Sequence, residues 1–516
     1  MIATSRRADR RPTVPCSPPE RPGLHFTPPQ GWMNDPNGLV HFDGEYHLFY
    51  QYYPDDLVWG PMHWGHAVSR DLVSWEHLPP ALVPDEQGMC FSGSAIVDRH
   101  DTSGLFDGEP GLLAFYTVHR EADGDPADYV QEQCLAYSRD RGRSWHKYSA
   151  NPIIAGPGFK DFRDPKVVWH APSRRWVMAL ACGQTVRFYL SDNLLDWRLA
   201  SEFGDGQGRH TDGPWECPDL FELPVERSSE GAADGEPATR WVLVVGVGAG
   251  EQDAFGSFTQ YFVGHFDGER FHNDHPAETV LLMDEGRDFY AVQSWSDVPA
   301  EDGRRLAIAW MNNWLYANRI PEAGWRGAMS FPRELSLAAT PEGVRLRQAF
   351  AGEWRARAAE AVKVDTPERP LAVGRHVLLE GGARSAHGRM VLELTAGASV
   401  SLDLQQGGHQ ALELVADEAG VAVRHRRRGQ NGDDEFDTHF PHDQAVGRLA
   451  GRRVELEWLV DDGSLELLLD GGRVSLTQLS FAQPAGRPLA LAVAAGECRV
   501  RTLEYRPLKA VPRPKS

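Results

Sequence analysis

Ser69-Arg-Asp-Leu-Val-Ser-Trp75 is a turn-like stretch that recurs twice further along the chain in degenerate form. The other copies are Ser138-Arg-Asp-Arg-Gly-Arg-Ser-Trp145 and Ser191-Asp-Asn-Leu-Leu-Asp-Trp197. Each copy follows a short strand-like run and precedes another, at intervals of about 50–70 residues. Strand–turn–strand repeats at this spacing are typical of four-stranded propeller blades. Coincidence among turn residues is the alternative, and three copies with Ser, Asp and Trp in one order disfavour it.

Short apolar or alternating runs dominate the chain around these repeats, and long helical periodicity is nearly absent. Gly, Pro, Asp and Asn turns separate the runs, which include residues 47–53, 112–118, 176–180 and 241–247. This pattern predicts an all-β fold.

A domain boundary is expected near residue 350. Residues 348–362, rich in Ala, Glu and Arg, form the best helix candidate. Beyond them the alternation becomes cleaner, as in Met390-Val-Leu-Glu-Leu394, and predicts a two-sheet sandwich with a hairpin turn at Asp461-Asp-Gly-Ser464. We therefore expect four segments: a disordered N-terminal segment (1–22), a catalytic propeller (23–345), a partly helical linker (346–365) and a β-sandwich (366–510).

The net charge of the chain is −20, from 73 acidic and 53 basic residues. A field of this sign repels phosphate backbones, so nucleic acid is not an expected partner, whereas a neutral substrate is unaffected. One basic cluster stands inside a domain, Arg424 and residues 426–428. Such runs are usually solvated loops, and we expect the same of this one.

Cysteine spacing and the N-terminus bear on the cellular compartment. The six Cys show no paired short spacing, which predicts buried reduced thiols. No run of about 18 apolar residues is present, so a membrane association is not expected. Residues 1–12 carry charge but no apolar segment follows them, so the sequence as written predicts a cytoplasmic protein, with secretion as the alternative.

Three carboxylates stand beside turns or strand starts. Asp35 follows Asn34 in Gly31-Trp-Met-Asn-Asp-Pro-Asn-Gly38, a stretch that could equally be only a tight turn. Asp164 follows Arg163, and the pair could grip two adjacent sugar hydroxyls or form a surface salt bridge. Glu216 stands between Trp and Cys, where an apolar neighbourhood would favour the protonated form of a carboxyl group, although a structural contact is an equal alternative.

The combination of the three carboxylates is more informative than any one of them. Cleavage of a glycosidic bond requires two carboxyl groups, one protonated and one ionised. Because the innermost strand of every propeller blade lines one axial channel, residues far apart in sequence can converge at its mouth. No His, Asp or Cys spacing suggests a metal, and we expect neither a metal nor a cofactor.

Three motifs resemble, in order, the signature motifs of glycoside hydrolase family 32. They are Trp32-Met-Asn-Asp-Pro-Asn-Gly38, Phe162-Arg-Asp-Pro165 and Trp215-Glu-Cys-Pro-Asp219. The resemblance is strong over roughly residues 23–340 and weaker in the sandwich. The family contains invertases, inulinases, levanases and fructan exohydrolases. Membership implies a five-bladed β-propeller followed by a β-sandwich, and retention at the anomeric carbon, with catalytic carboxyl groups about 5–5.5 Å apart.

The resemblance also implies a role for each matching residue. Asp35 would be the nucleophile, and Glu216 would protonate the leaving oxygen and then deprotonate water. Asp164 would hold the fructose 3- and 4-hydroxyls and stabilise the transition state, with Arg163 beside it. The pocket for the terminal fructose would be lined by Asn34, Gln51, Trp59, Phe91, Ser92 and Trp314.

The main functional hypothesis is an exo-acting fructan β-fructosidase that releases terminal fructose from levan- or inulin-type chains and from sucrose. An invertase-like sucrose hydrolase or a fructosyltransferase is the first alternative, because sugar can intercept the covalent intermediate in place of water. A non-catalytic fructan-binding protein is a remote alternative, because all three carboxylates are present. The sequence does not predict an oligomeric state.

Overall fold

The computed structural model describes residues 15–122, 125–226, 239–250, 253–364 and 369–511. They form a five-bladed β-propeller followed by a two-sheet β-sandwich, as the family resemblance implies. Blade I contains β1 (Gly31–Phe42), β2 (Glu45–Tyr53), β3 (His63–Ser69) and β4 (Glu76–Leu82). Blade II contains β5 (Met89–Asp98), β6 (Gly111–Ala122), β7 (Asp125–Ser138) and β8 (His146–Lys147). Blade III contains β9 (Phe162–His170), β10 (Arg175–Cys182), β11 (Thr185–Ser191) and β12 (Arg198–Phe203).

The last two blades follow the same order, with one short strand inserted. Blade IV contains β13 (Trp215–Glu226), β14 (Thr239–Val247), β15 (Phe258–Phe266) and β16 (Phe271–Asn273). Blade V contains β17 (Tyr290–Ser294), β18 (Arg305–Trp310), β20 (Arg333–Thr340) and β21 (Gly343–Phe350). Between β18 and β20 lie a 3-10 helix (Ala317–Arg319) and β19 (Trp325–Arg326), which pairs in parallel with β1.

The repeated Ser/Asp/Trp stretch forms the same turn in blades I, II and III. It joins the third strand of each blade to the fourth, and the indole of its Trp donates to a backbone carbonyl three residues earlier. Asp71 and Asp140 each accept hydrogen bonds from neighbouring Ser side chains and backbone amides. The repeats therefore mark blades, as their spacing predicts.

The sandwich has one sheet of six strands and one of five. In chain order the strands are β22 (Gly374–Leu379), β23 (Ala386–Leu394), β24 (Ser399–Leu404), β25 (Gln410–Asp417), β26 (Gly420–Arg427), β27 (His442–Leu449), β28 (Arg453–Asp461), β29 (Ser464–Leu469), β30 (Val474–Leu479), β31 (Leu489–Ala495) and β32 (Cys498–Pro507). The α-helix α1 (Asp434–His439) precedes β27, and a 3-10 helix (Asp470–Gly472) precedes β30. The predicted hairpin is present, with Asp461 opposite Ser464.

The helix predicted over residues 348–362 is absent. The first residues of this stretch complete β21, which pairs with β20 up to Phe350, and a 3-10 helix follows at Gly352–Arg357. Phe350 and Trp354 are both buried in the core between the propeller and the sandwich. Strand pairing and burial of these two rings outweigh the helix propensity of the Ala-rich stretch.

A buried polar interface joins the two domains. Arg333 of β20 pairs with Glu466 of β29, and Arg427 of β26 pairs with Asp288, and all four side chains are fully buried. The prediction of a solvated loop is therefore wrong for Arg427, because β26 ends against the propeller and directs this side chain inward. Arg424 in the same cluster is exposed and pairs with Asp443.

The N-terminal segment is described only from residue 15. The prediction of disorder over 1–22 falls largely on residues 1–14, outside the described residues. Beyond them the chain lies against the folded body: the Cys16 amide donates to the Gln430 carbonyl at 2.7 Å, and the Arg21 guanidinium stacks on Trp325. All six Cys are free thiols, and five of them are buried. In the described part of the chain no helix is long and apolar enough to span a membrane.

Candidate active site

The site residues lie near the beginning of the innermost strands of all five blades. Asp35 is on β1, Ser92 on β5, Asp164 on β9, Glu216 on β13 and Tyr290 on β17. These five strands contact one another around the propeller axis. Residues separated by up to 255 positions in the sequence therefore meet at one end of the axial channel.

Each innermost strand is irregular where its site residue lies. The pairing register shifts between Met33 and Pro36 on β1, and similar shifts occur at the site residues of β5, β9, β13 and β17. Asp164, Cys217 and Ala291 adopt positive φ angles of 64°, 47° and 52°. Such conformations cost about 1–3 kcal/mol each and re-aim the side chains, which is why bulges are frequent next to active sites.

The Asp35 carboxylate accepts hydrogen bonds from three side chains. The donors are the Ser92 hydroxyl at 2.6 Å, the Asn34 amide at 2.9 Å and the Cys217 thiol at 3.4 Å. Burial and the nearby charge of Glu216 raise the pKa of Asp35, while the three donors oppose that rise. Because all three groups donate, they stabilise the ionised carboxylate, although the pKa of Asp35 stays above its ordinary value.

Asp164 is buried next to Asp35. Its carboxylate accepts from the Cys217 backbone amide at 2.9 Å, and the Cys217 thiol lies 3.6 Å from the same oxygen. Burial raises the pKa of Asp164 to about 7, against the lowering effect of the Arg163 charge. The charges of Glu216 and Asp35 act in the same direction as burial, and the hydrogen bond from the Cys217 backbone amide opposes them.

Glu216 meets polar partners rather than the apolar surroundings expected from its flanking residues. Arg163 Nη2 donates to its Oε1 at 2.9 Å, and the Tyr290 hydroxyl donates to its Oε2. The Trp215 ring is fully buried between blades III and IV. The Glu216 side chain is 20 % exposed, so it can reach a leaving group or water.

Arg163 connects Glu216 to the rim of the site. Its second terminal nitrogen, Nη1, donates to Asp161 at 2.5 Å, and Asp161 also accepts from the Tyr129 hydroxyl at 2.8 Å. Arg163 therefore binds two carboxylates at once, one through each terminal nitrogen of its guanidinium.

Of the residues expected in the fructose pocket, Asn34 and Ser92 contact Asp35 directly. The Gln51 side chain is buried and donates one of its two amide hydrogens to the Cys90 carbonyl at 3.0 Å.

The aromatic residues expected in the pocket form two separate ring contacts. The rings of Trp59 and Phe91 meet edge to face at 6.0 Å, and Trp59 is 39 % exposed. Trp314 stacks on Trp32 at 6.0 Å, and Trp32 in turn donates to the Asn34 side chain. Trp314 is thus connected to Asp35 through Trp32 and Asn34.

Sequence reasoning missed Tyr290, Cys217 and Trp32 as functional residues. Trp32 and Cys217 lie inside the motifs that contain Asp35 and Glu216, but an indole or a thiol at these positions does not by itself indicate a function. Tyr290 stands in Asp288-Phe-Tyr-Ala291, which carries no distinctive spacing, and only the fold brings it to Glu216. Within the described ranges, no three His, Cys, Asp or Glu side chains are grouped so that they could hold a metal ion.

Comparisons with known proteins identify the family of the chain. Residues 25–349 match the family model "Glycosyl hydrolases family 32 N-terminal domain". A levanase from Bacillus subtilis (strain 168) is 44% identical over 498 residues, which cover 95% of this chain and 71% of the levanase. An extracellular exo-inulinase from Aspergillus niger is 36% identical over 507 residues, which cover 90% of each protein.

Solved structures agree on the whole architecture. The crystal structure of exo-inulinase from Aspergillus awamori superposes with a TM-score of 0.83 at 32% identity, covering 96% of this chain and 98% of the inulinase. A β-fructofuranosidase from Schwanniomyces occidentalis gives a TM-score of 0.79 at 28% identity, covering 96% of this chain and 99% of that enzyme. The resemblance inferred from the three motifs is therefore confirmed, and the chain is a glycoside hydrolase that belongs to family 32.

Proposed function

We propose that this enzyme hydrolyses terminal β-fructofuranosyl bonds of levan- or inulin-type fructans and of sucrose, with retention of configuration. The observation that carries the proposal is the convergence of Asp35 and Glu216 from blades I and IV. They lie close enough for the charge of Glu216 to raise the pKa of Asp35. Two carboxyl groups brought close together are what glycosidic cleavage requires.

In the first step the Asp35 carboxylate attacks the anomeric carbon of the terminal fructosyl unit. The bond to the leaving oxygen breaks as Glu216 gives that oxygen a proton, and a covalent fructosyl–enzyme intermediate remains. In the second step water attacks the same carbon, Glu216 takes the proton of the water, and Asp35 leaves as a carboxylate. Two inversions at one carbon give net retention.

The remaining site residues serve these two steps. Asn34, Ser92 and Cys217 hold Asp35 in place through hydrogen bonds, and Arg163 and Tyr290 hold Glu216. Asp164 would accept hydrogen bonds from hydroxyl groups of the fructosyl unit. Its carboxylate lies close to Asp35, because both contact the same Cys217 thiol. A carboxyl separation of about 5–5.5 Å between Asp35 and Glu216 stays a prediction of the retaining mechanism.

Fructans are supported as substrates by the curated relatives. The B. subtilis relative is a levanase, and the Aspergillus relatives are extracellular exo-inulinases. A yeast relative from Wickerhamomyces anomalus, 40% identical over 329 residues, is an invertase, which supports sucrose as a further substrate. The Aspergillus relatives are extracellular enzymes, which supports secretion of this protein. Secretion is the alternative to the cytoplasmic location predicted from residues 1–12.

Sugar analysis tests the proposal. Wild-type protein and an Asp35→Asn variant of nearly the same shape are incubated in parallel with levan, inulin and sucrose. We expect wild-type protein to release free fructose as the dominant early product, as the β-anomer in time-resolved NMR, and the variant to release almost none. Absence of fructose would refute hydrolysis, dominant oligofructosides would indicate transfer or endo attack, and the α-anomer would refute retention.

A further inference from the structure

Arg427 is the one member of the predicted surface arginine cluster whose side chain is fully buried at the domain interface. It ends β26 of the sandwich, and its Nη1 forms an ion pair with Asp288 of the propeller, which is also fully buried. The guanidinium lies 3.8 Å from the ring centroid of Phe440, and its Nε donates to the Phe440 carbonyl at 3.0 Å. The sandwich therefore fixes this side chain from two directions.

Arg427, Asp288 and Tyr316 form a closed triad of hydrogen bonds. Arg427 Nη2 donates to the Tyr316 hydroxyl at 2.7 Å, and that hydroxyl donates to Asp288 at 2.6 Å. The Leu479 amide of the sandwich donates to the other Asp288 oxygen at 2.8 Å. One guanidinium thus holds two separate propeller segments, one at Asp288 and one at Tyr316.

Both segments carry residues of the active site. Asp288 lies two residues before Tyr290, whose hydroxyl donates to Glu216. Tyr316 lies two residues after Trp314, which stacks on Trp32. The Asn313 side chain ties the segments together, because it donates to the Arg287 carbonyl at 2.8 Å.

Net stability is a poor explanation for a buried ion pair of this kind. The cost of removing two charges from water offsets most of their attraction, and well-packed apolar replacements are often as stable. What such a pair supplies is direction, since the guanidinium fork fixes the position of each acceptor. The main effect of Arg427 is therefore to fix the positions of the two segments, and not to stabilise the fold.

We propose that Arg427 is a positioning residue of the sandwich that holds Tyr290 and Trp314 in their catalytic arrangement through Asp288 and Tyr316. The proposal rests on the proposed function only for its activity test. It gives the sandwich a direct part in the reaction, although every catalytic carboxylate belongs to the propeller.

The variants Arg427→Lys and Tyr316→Phe test the proposal, with Arg333→Lys as the matched control. Arg333 is also fully buried and pairs across the same interface, but its hydrogen-bond partners Glu466, Ser475 and Thr477 belong to β29 and β30. In the measured peptides it lies 5.9 Å from the Phe289 ring, a cation–π contact that Lys can also make. All variants are compared at a temperature at which circular dichroism shows them folded. Hydrogen exchange of peptides covering residues 287–291 and 312–318 is the first measurement, and kcat/KM on sucrose and on an activated aryl β-fructofuranoside is the second.

We expect faster exchange in both peptides for Arg427→Lys and Tyr316→Phe, and unchanged exchange for Arg333→Lys. General acid catalysis contributes about 10²–10⁴-fold, so its partial loss should lower kcat/KM on sucrose about tenfold. The loss should be at most about threefold on the activated substrate, whose leaving group needs little protonation.

Equal exchange and equal activity losses for Arg427→Lys and Arg333→Lys would overturn the proposal, as would equal losses on both substrates. A wild-type protein that cleaves neither substrate would refute the proposed function instead. Hydrogen exchange would then still decide whether Arg427 positions the two segments.

Discussion

At the scale of single residues, Glu216 and Asp35 carry distinct steps of the proposed reaction. Glu216→Ala removes the proton donor, and we expect kcat/KM on sucrose to fall at least about 10³-fold. On an activated aryl β-fructofuranoside the fall should be much smaller, because the leaving group departs without a proton. Asp35→Ala should lose activity on both substrates, because no bond to the anomeric carbon can form.

Glu222→Ala is the control for this experiment, since Glu222 lies on the same strand but is exposed and bonded to Thr239. Its activity should equal that of wild type. Near-normal sucrose hydrolysis by Glu216→Ala, at matched thermal stability, would contradict the assignment. An equal loss on both substrates would count against the acid role.

Ser92 sets the pH at which activity falls on the acid side. Burial and the charge of Glu216 raise the pKa of Asp35, so on acidification the nucleophile becomes protonated and inactive at a higher pH than an ordinary Asp would. The Ser92 hydroxyl lowers that pKa, and its removal in Ser92→Ala should shift the acid limb of kcat/KM to higher pH. Profiles of kcat/KM against pH, which report the free enzyme, measure the shift.

Ser94→Ala is the matched control, because Ser94 is buried on the same strand and donates to the Pro165 carbonyl instead. Its acid limb should stay at the wild-type position. An acid limb that stays in place or moves to lower pH in Ser92→Ala would contradict the role given to this hydroxyl.

The carboxylates could be predicted from sequence at this scale, and their partners could not. Asp35, Asp164 and Glu216 stand in motifs whose residue types have a chemical reason to occur together. Tyr290 has none, because its role depends on a contact between blades IV and V that the sequence does not encode locally. The expectation of apolar surroundings for Glu216 failed for the same reason: Trp215 packs into the core between blades III and IV, while Arg163 reaches Glu216 from another blade.

At the scale of elements, the repeated turn is a stabilising unit of blades I to III. Asp71 accepts from the Val73 and Ser74 amides at 3.0 and 2.6 Å and from the Ser74 hydroxyl at 2.8 Å. Asp71→Ala should lower the free energy of unfolding by about 1–2 kcal/mol, because the amides lose their acceptor. Urea unfolding measures the change, and kcat on sucrose should not change.

Asp71→Asn keeps an acceptor oxygen and is the control, with a smaller expected loss. An Asp71→Ala protein as stable as wild type would contradict the role of the turn. A fall in kcat at full folding would show instead that the turn communicates with the site.

Three blades could be predicted because this turn repeats its chemistry in the sequence. Blades IV and V could not be recognised in this way, since their outer turns at Asp267 and Thr340 use different residues and lack the Trp. The prediction of a helix at 348–362 was wrong because residues 343–350 pair with the edge of β20, and this pairing cannot be inferred from local propensity. Local propensity cannot report such competition.

At the scale of the whole molecule, the interface between propeller and sandwich could not be predicted from sequence. The patterning separates two β domains, but it gives no sign that charged groups are buried between them. Arg333, Arg427, Asp461 and Glu466 each look like surface residues in the sequence, yet all four side chains are fully buried in the folded protein. Their pairing makes the two domains one unit whose stability should depend on pH.

His25 is the titrating member of this interface. Its ring nitrogens lie 2.9 Å from Asp461 and 2.7 Å from Glu466, and all three side chains are fully buried. Burial alone would lower the pKa of His25, but the two carboxylates raise it to about 9. Because the folded pKa lies above the unfolded value of about 6.5, the stabilisation is fully present below about pH 6.5 and is lost as pH rises through 9.

We therefore expect the difference in unfolding free energy between wild type and His25→Asn to shrink between pH 6.5 and pH 10 by on the order of 3 kcal/mol. Asp461 and Glu466 do not offset this loss, since their lowered pKa values keep both ionised throughout the range. Urea unfolding at a series of pH values measures the difference. His77→Asn is the control. Burial lowers the pKa of His77 to about 4, so the difference in unfolding free energy between wild type and His77→Asn should not change with pH in this range. A difference for His25→Asn that stays constant up to pH 10 would show that the imidazole is not charged between the two carboxylates, and the interface would then owe nothing to its protonation.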